Sequence, residues 1–276
     1  MGRLPENARN RYLAQHEFAR GVLEPRSVPA ILQFAINNAC NFKCVYCSDH
    51  RAGNDIPRTR LEGRSWDDLL RLIPRVDVLA FHGISEFFVD RNFFDLVQRC
   101  ADARATLSLN TNGSIATPRH VDVLRDYPCA IDVNFSLDAA TAPTFLRIRG
   151  WDFERVLANI RTYVAAFAAR RAPTQLSTSF VICRSNVREM VPFVRLARDL
   201  GMHEVKFYRL HEYGSLAWSI QAPDGTTFDY RDECTDRLKE LHDEQVTATI
   251  AEAERLGLRV AIPALYAEPA AASGAK

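Results

Sequence analysis

Three cysteines fall within eight residues: Cys40, Cys44 and Cys47 in the segment CNFKCVYC, spaced C-x3-C-x2-C. Thiolates are soft anionic ligands, and three on one short loop can hold three corners of a [4Fe-4S] cube. The fourth iron is then left without a protein ligand. Clusters that only carry electrons are usually held by four cysteines. An open iron can instead bind a substrate or cofactor, so the loop points to chemistry at the metal. Other readings of the same residues stay open. Structural zinc needs four N or S ligands in a closed tetrahedron, and His50, three residues after Cys47, can complete a Cys3His set, although no second zinc knuckle is present. A disulfide is disfavoured by the odd total of seven cysteines and by the lack of a secretory h-region near Met1. Ordinary buried thiols are the remaining alternative, since cysteine is often a small core residue.

The loop directly follows an apolar run, 30–36, and such short runs recur along the chain. They predict strands over 31–36, 76–81, 105–110, 130–137, 176–183 and 204–210. Longer amphipathic segments between them predict helices over 66–73, 92–103, 118–126, 153–170 and 189–200. Phe153, Val156, Leu157, Ile160, Val164 and Phe167 form an apolar stripe at helical spacing, and Gly201 marks a helix stop. A short helix over 12–20, a last helix over about 230–255 and a strand over 258–262 complete the reading. Strand–helix alternation pairs strands in parallel through right-handed crossovers. Six βα units are too few for a closed eight-stranded barrel, so the expected fold is α/β, a partial (β/α)6 TIM-like barrel with parallel strands. The expected organisation is a lead-in over 1–29, a core over 30–212, an extension of the same domain over 213–266 and a disordered tail over 267–276.

In such folds chemistry gathers at the C-terminal ends of the strands. The cysteine loop leaves the first strand there. The second strand is followed by Gly83, Ile84, Ser85 and Glu86, where small residues admit a ligand close to the backbone. Asn110-Thr111-Asn112-Gly113 follows the third, Ser136-Leu137-Asp138 with Arg147 and Arg149 the fourth, and Cys183-Arg184-Ser185-Asn186 the fifth. Polar residues at one strand exit are ordinary; their recurrence along one edge carries more weight.

Composition narrows the classes. The 276 residues are 47% hydrophobic and 25% charged, as in a globular protein with a sizeable core. No apolar run has the length to cross a bilayer. A net charge of +1 with interspersed signs gives no global field for nucleic acid. The lack of a targeting signal and the thiol chemistry point to a reducing cytoplasm.

The ordered motifs resemble those of radical S-adenosylmethionine (radical SAM) enzymes. CNFKCVYC matches that family's C-x3-C-x-aromatic-C motif, with Tyr46 as the aromatic. Gly83-Ile84-Ser85-Glu86 stands where the family has a Gly-Gly-Glu-Pro-like motif, with Ser85 for a common glycine and Phe87 for a common proline. Asn110-Thr111-Asn112-Gly113 resembles the Thr-Asn-Gly turn. Ser136-Leu137-Asp138 and Arg147-Ile148-Arg149-Gly150 resemble the fourth-strand segment, above all in the branch bearing SPASM or twitch extensions; Ser185-Asn186 resembles the fifth-strand exit. The resemblance spans roughly residues 30–212.

The resemblance implies a [4Fe-4S] cluster on Cys40, Cys44 and Cys47, with S-adenosylmethionine (SAM) on the open iron through its amino and carboxylate groups. Arg149 or Arg147 pairs with the carboxylate, and backbone at Gly83–Glu86 takes the amino group. Ser136, Asp138 and Asn186 meet the ribose or methionine part; Asn110 and Tyr46 complete the cofactor-binding set. One electron then breaks a C–S bond, and the 5′-deoxyadenosyl radical takes hydrogen from an unidentified peptide or small molecule. A low-potential reductant such as flavodoxin or ferredoxin is implied. Cys100, Cys129, Cys183 and Cys234 are singletons and no cysteine follows them, so a single cluster is expected. The alternative class is a zinc-stabilised binding module or a simple iron–sulfur electron carrier.

Overall fold

A computed structural model describes residues 4–47, 57–212 and 218–267. His50, Tyr213 and the tail from residue 268 onward lie outside the described residues. The elements run in the order α1 (Glu6–Ala19), β1 (Ile31–Phe34), α2 (Gly63–Leu72), β2 (Val78–Phe81), α3 (Phe93–Asp102), β3 (Thr106–Thr111), α4 (Pro118–Arg125), β4 (Ile131–Ser136), α5 (Ala142–Arg149), α6 (Phe153–Phe167), β5 (Thr174–Ile182), α7 (Met190–Asp199), β6 (Glu204–Arg209), β7 (Ser219–Gln221), β8 (Thr227–Asp229), α8 (Tyr230–Glu233), α9 (Lys239–Leu256) and β9 (Arg259–Ala261). The seven-stranded sheet has the order β1-β2-β3-β4-β5-β6-β9, and β7 and β8 form a separate antiparallel hairpin. This is the expected α/β class with parallel strands.

The chain divides into two compact units. The first holds Met1–Asn41, Pro57–Val133 and Thr162–Gln175; the second holds Phe42–Ile56, Asn134–Arg161 and Leu176–Lys276. In the first unit β1, β2 and β3 pair in parallel, with Gln33 beside Ala80 and Ala80 beside Ser108. Leu79, Phe81, Leu107 and Leu109 share the other face, where Phe81 stacks on Phe87 at 3.9 Å and Phe87 meets Phe93 of α3 at 4.9 Å. In the second unit β5, β6 and β9 pair in parallel. Phe180 and Phe207 pack on Phe193 of α7, at 4.7 and 6.1 Å. The reverse face there carries Ser177, Ser179, Glu204 and Lys206.

Parallel strands covered on both faces usually read as continuous apolar runs, because each face meets a helix. β3 (Thr106–Thr111) and β4 (Ile131–Ser136) alternate instead, with Ser108 and Asn110, and Asn134 and Ser136, on the face opposite their apolar residues.

Three expectations need correction. The helix foreseen over 230–255 is broken into α8, a 3-10 turn at Thr235–Arg237, and α9. Asp229 caps α8 by accepting from the N–H groups of Arg231 and Asp232, and Cys234 then turns extended. The lead-in helix starts earlier than foreseen, at Glu6. Its buried residues are the polar Asn7, Asn10 and Glu17, so no apolar stripe marks it. Finally, α5 was not foreseen. Its signals were in the sequence: Pro143 at the first turn and Gly150 at a left-handed C-cap, φ +69°.

Candidate active site

The CNFKCVYC segment crosses the unit boundary: Cys40 belongs to the first unit, Cys44 and Cys47 to the second. In the second unit, α5 carries the site. Glu189 accepts from the N–H groups of Ala140 and Thr141 and from the hydroxyls of Thr141 and Thr144, fixing a carboxylate at the helix N-terminus. At the other end, the Ile148 carbonyl accepts from the Val45 N–H at 3.0 Å, and the Val45 carbonyl accepts from Trp218 Nε1 at 3.1 Å. The cysteine loop is thus pinned to the last turn of α5, which presents Arg149.

Arg149 is 8% exposed. Its Nη1 donates to Cys44 Sγ at 3.4 Å, and its Nη2 pairs with the Asp138 carboxylate. Asp138 is fully buried and sits at φ +61°, a conformation that non-glycine residues rarely adopt. It accepts from the Val181 N–H at 2.6 Å and from the Tyr46 hydroxyl, and its carbonyl accepts from Asn186 Nδ2 at 2.9 Å. Five sequence-predicted residues, Cys44, Tyr46, Asp138, Arg149 and Asn186, therefore form one polar cluster, buried except for the half-buried Tyr46. Burial pushes the Cys44 thiol and the Tyr46 hydroxyl up. Burial also works against the charge of Arg149, but Asp138, Tyr46 and Cys44 outweigh it and hold the guanidinium protonated. Among the described residues the Arg149 Nε is buried with no hydrogen-bond partner, a state that the Arg147 Nε shares. A buried donor without an acceptor costs about 1–3 kcal/mol, which an anionic ligand would offset.

The other predicted residues divide. Arg147 pairs with Glu233 at 3.3 Å and leaves the cluster to Arg149. Ser136 is half-buried, its hydroxyl 3.4 Å from Ser179 Oγ. In the first unit, Gly83 and Ile84 are exposed and Ser85 half-buried. Gly83 has φ +156°, and a Cβ there would lie 2.9 Å from Ala35 Cβ, so only glycine fits this strand exit without displacement. Glu86 points inward: it accepts from the Thr111 hydroxyl at 2.9 Å and from the N–H groups of Asn112 at 2.7 Å and Phe88 at 3.2 Å. Asn110 is half-buried near the end of β3. Sequence reasoning missed Asn41, which accepts from Asn112 Nδ2 at 2.9 Å and donates to Ser114 at 2.8 Å. It also missed Asn134, which joins Ser177 and Ser179 on the polar face. Period-two alternation through β4, Ile131-Asp132-Val133-Asn134-Phe135-Ser136, was the available signal.

Three thiols on one short loop are the donor type that an iron–sulfur cluster takes. None of the seven cysteines forms a disulfide. N–H donors face the Cys44 sulfur, from Arg149, and the Cys40 sulfur, from Asn112 Nδ2 at 3.9 Å. Burial that disfavours a lone thiolate at Cys44 is overcome when a metal deprotonates the thiol. Among the described residues, no three His, Cys, Asp or Glu side chains are arranged to hold a single metal ion. A cube does not need that arrangement, since each thiolate takes a different iron. Among the described residues, no helix is long and apolar enough to cross a membrane.

Residues 34–197 match the model of the Radical SAM superfamily. The mycofactocin maturase MftC of Mycobacterium tuberculosis is 30% identical over 189 residues, 67% of this chain and 45% of that protein. A probable GTP 3′,8-cyclase of Saccharolobus islandicus is 24% identical over 204 residues, 66% of this chain and 58% of that one. The chain thus spans about half the length of these curated relatives. Among solved structures, Streptococcus suis SuiB bound to its precursor peptide SuiA superposes with a TM-score of 0.63 at 15% identity, over 93% of this chain and 53% of that one.

Proposed function

We propose, on the premise that this chain belongs to the radical SAM superfamily, that it binds one [4Fe-4S] cluster through Cys40, Cys44 and Cys47 and cleaves SAM reductively there. When bound, such a cluster supplies one electron to the sulfonium, releasing methionine and a 5′-deoxyadenosyl radical that takes a hydrogen atom from the substrate. The chain's own residues bind and orient. The observation that carries this reading is the buried Arg149, one donor on the Cys44 sulfur and its Nε unspent. The remaining N–H suits an oxygen of the SAM carboxylate, and a charge-assisted bond contributes about 1.5–3 kcal/mol. Asp138 and Tyr46 keep the guanidinium aimed. The backbone at Gly83–Glu86 receives the amino group, and Ser136, Asn186 and Asn110 meet the rest of the cofactor. Glu86 supports this by holding the two strand exits together from within.

The substrate is a peptide or a small molecule, and the similarity to a maturase makes a peptide the first to test. A low-potential carrier such as flavodoxin or ferredoxin delivers the electron, in the cytoplasm. Residues 30–212 form the catalytic core, with 213–266 its extension.

The test is anaerobic reconstitution followed by SAM and dithionite. A brown protein that yields 5′-deoxyadenosine and methionine is expected. A colourless zinc protein, or a brown one that reduces and reoxidises while SAM stays intact, would replace this reading with a binding module or an electron carrier.

A further inference from the structure

Arg149 divides its donors between partners with opposite effects on a redox centre. Nη1 faces the Cys44 sulfur at 3.4 Å, and Nη2 faces the Asp138 carboxylate. All three residues are more than nine-tenths buried, so water screens the charges little. The geometry is fixed from several sides. The Val181 N–H and the Tyr46 hydroxyl hold the Asp138 carboxylate, Asn186 holds its carbonyl, and the Val45–Ile148 backbone bond ties the cysteine loop to α5. Cys40, by contrast, faces the neutral amide of Asn112.

Adding one electron to a cluster makes it more negative. A guanidinium N–H on a ligand sulfur stabilises that reduced form, and a nearby carboxylate opposes it; hydrogen bonds to the sulfurs and local charge are the protein's levers on potential. Resting on the reading that Cys44 is a cluster ligand, we propose that the Arg149–Asp138 pair sets the cluster's reduction potential. Arg149 raises the potential through its contact with the Cys44 sulfur, and Asp138 holds it down by neutralising that charge. Both act as positioning residues in this role, separately from any contact Arg149 makes with SAM.

The experiment is an anaerobic redox titration of the loaded full chain, followed by electron paramagnetic resonance without SAM, so that cofactor affinity does not enter. Iron per chain is measured in each sample. Arg149→Met is expected to shift the reduction equilibrium about tenfold toward the oxidised form, about 59 mV for one electron. Arg149→Lys, which keeps the charge but loses the planar fork, is expected to shift it less, and Asp138→Asn to shift it the opposite way. Unmoved potentials, or shifts of the same sign in Arg149→Met and Asp138→Asn, overturn the proposal. If Arg149→Met loads no iron, the sign of the Asp138→Asn shift decides. Wild-type protein that holds no cluster or leaves SAM intact refutes the proposed function. Wild-type protein that does both, with potentials indifferent to these variants, refutes only this inference.

Discussion

Two buried carboxylates, Glu86 in the first unit and Asp138 in the second, keep different company. Glu86 accepts from the Thr111 hydroxyl and from the N–H groups of Asn112 and Phe88, linking the exit of β2 to the exit of β3. Asp138 accepts from the Val181 N–H and the Tyr46 hydroxyl and also grips a guanidinium. The first arrangement fixes backbone. The second holds a cation at a cysteine sulfur with one donor still unspent. Burial of polar groups is therefore not what marks the site, since both sets are buried. What marks it is a guanidinium held against a cysteine sulfur.

The sharpest way to break this contrast is at the cysteines. Replacing Cys40, Cys44 or Cys47 by Ala is expected to abolish iron loading and SAM cleavage, read as iron per chain and 5′-deoxyadenosine formed. Full cleavage in any one variant removes that residue from the ligand set and, for Cys44, removes the reason Arg149 is poised as it is. The next largest effect belongs to Glu86. Glu86→Ala leaves the Thr111 hydroxyl and two N–H groups buried without their acceptor, at about 1–3 kcal/mol for such groups. Urea unfolding is expected to show a loss of about 3 kcal/mol. A loss below about 0.5 kcal/mol would mean that the closed network is not the scaffold described.

Arg149 should report on the cofactor as well as on the fold. Arg149→Met is expected to weaken SAM binding to the loaded protein by about 2 kcal/mol, near thirtyfold, in equilibrium dialysis. The fold is expected to weaken too, because Asp138 is left buried without its cation, so binding is compared at equal iron per chain. If loaded Arg149→Met binds SAM as the wild type does while Glu86→Ala stays folded but cannot bind it, the roles assigned to the two networks are exchanged.

How far this was legible in the sequence depends on the kind of signal. The core strands and helices were readable because they bury apolar residues at regular spacing: Phe93, Leu96, Val97 and Cys100 in α3, or Phe193, Val194 and Ala197 in α7. The lead-in helix was misplaced because it is anchored by polar side chains. Glu17 accepts from the N–H groups of Arg26 and Ser27, and Asn10 bonds Val28 in both directions. The β7–β8 hairpin was overlooked although Pro223-Asp224-Gly225 is a turn sequence; Gly225 takes φ +83° there. At the site, strand ends identified Asp138, Arg149 and Asn186 as candidates, and the family resemblance added Tyr46. Their joining into one cluster was not legible, because it depends on α5 turning Arg149 inward while Arg147, two residues earlier, turns to Glu233. Spacing alone treats the two arginines alike.

A third carboxylate sharpens the comparison at the surface. Glu252 on α9 accepts from Arg195 of α7 at 2.6 Å and from Arg255 at 2.8 Å. Like Asp138 it holds guanidinium groups, but here they stand largely in water, where ion pairs contribute little and salt screens them. The hydrogen bonds from Arg255 and then Arg195 lower its pKa from 4.5 to about 2. A depressed folded-state pKa means that the unfolded chain takes up the proton first. The contribution is therefore complete above pH 4.5 and is lost as the pH falls from 4.5 toward 2. Thermal midpoints of the wild type and Glu252→Gln, compared from pH 6 down to pH 2, are expected to differ slightly at pH 6 and to converge as the solution becomes acidic. Because other carboxylates titrate in both proteins, the difference between the two curves isolates Glu252. A gap that widens toward low pH would show that α9 is held to α7 by something other than this carboxylate.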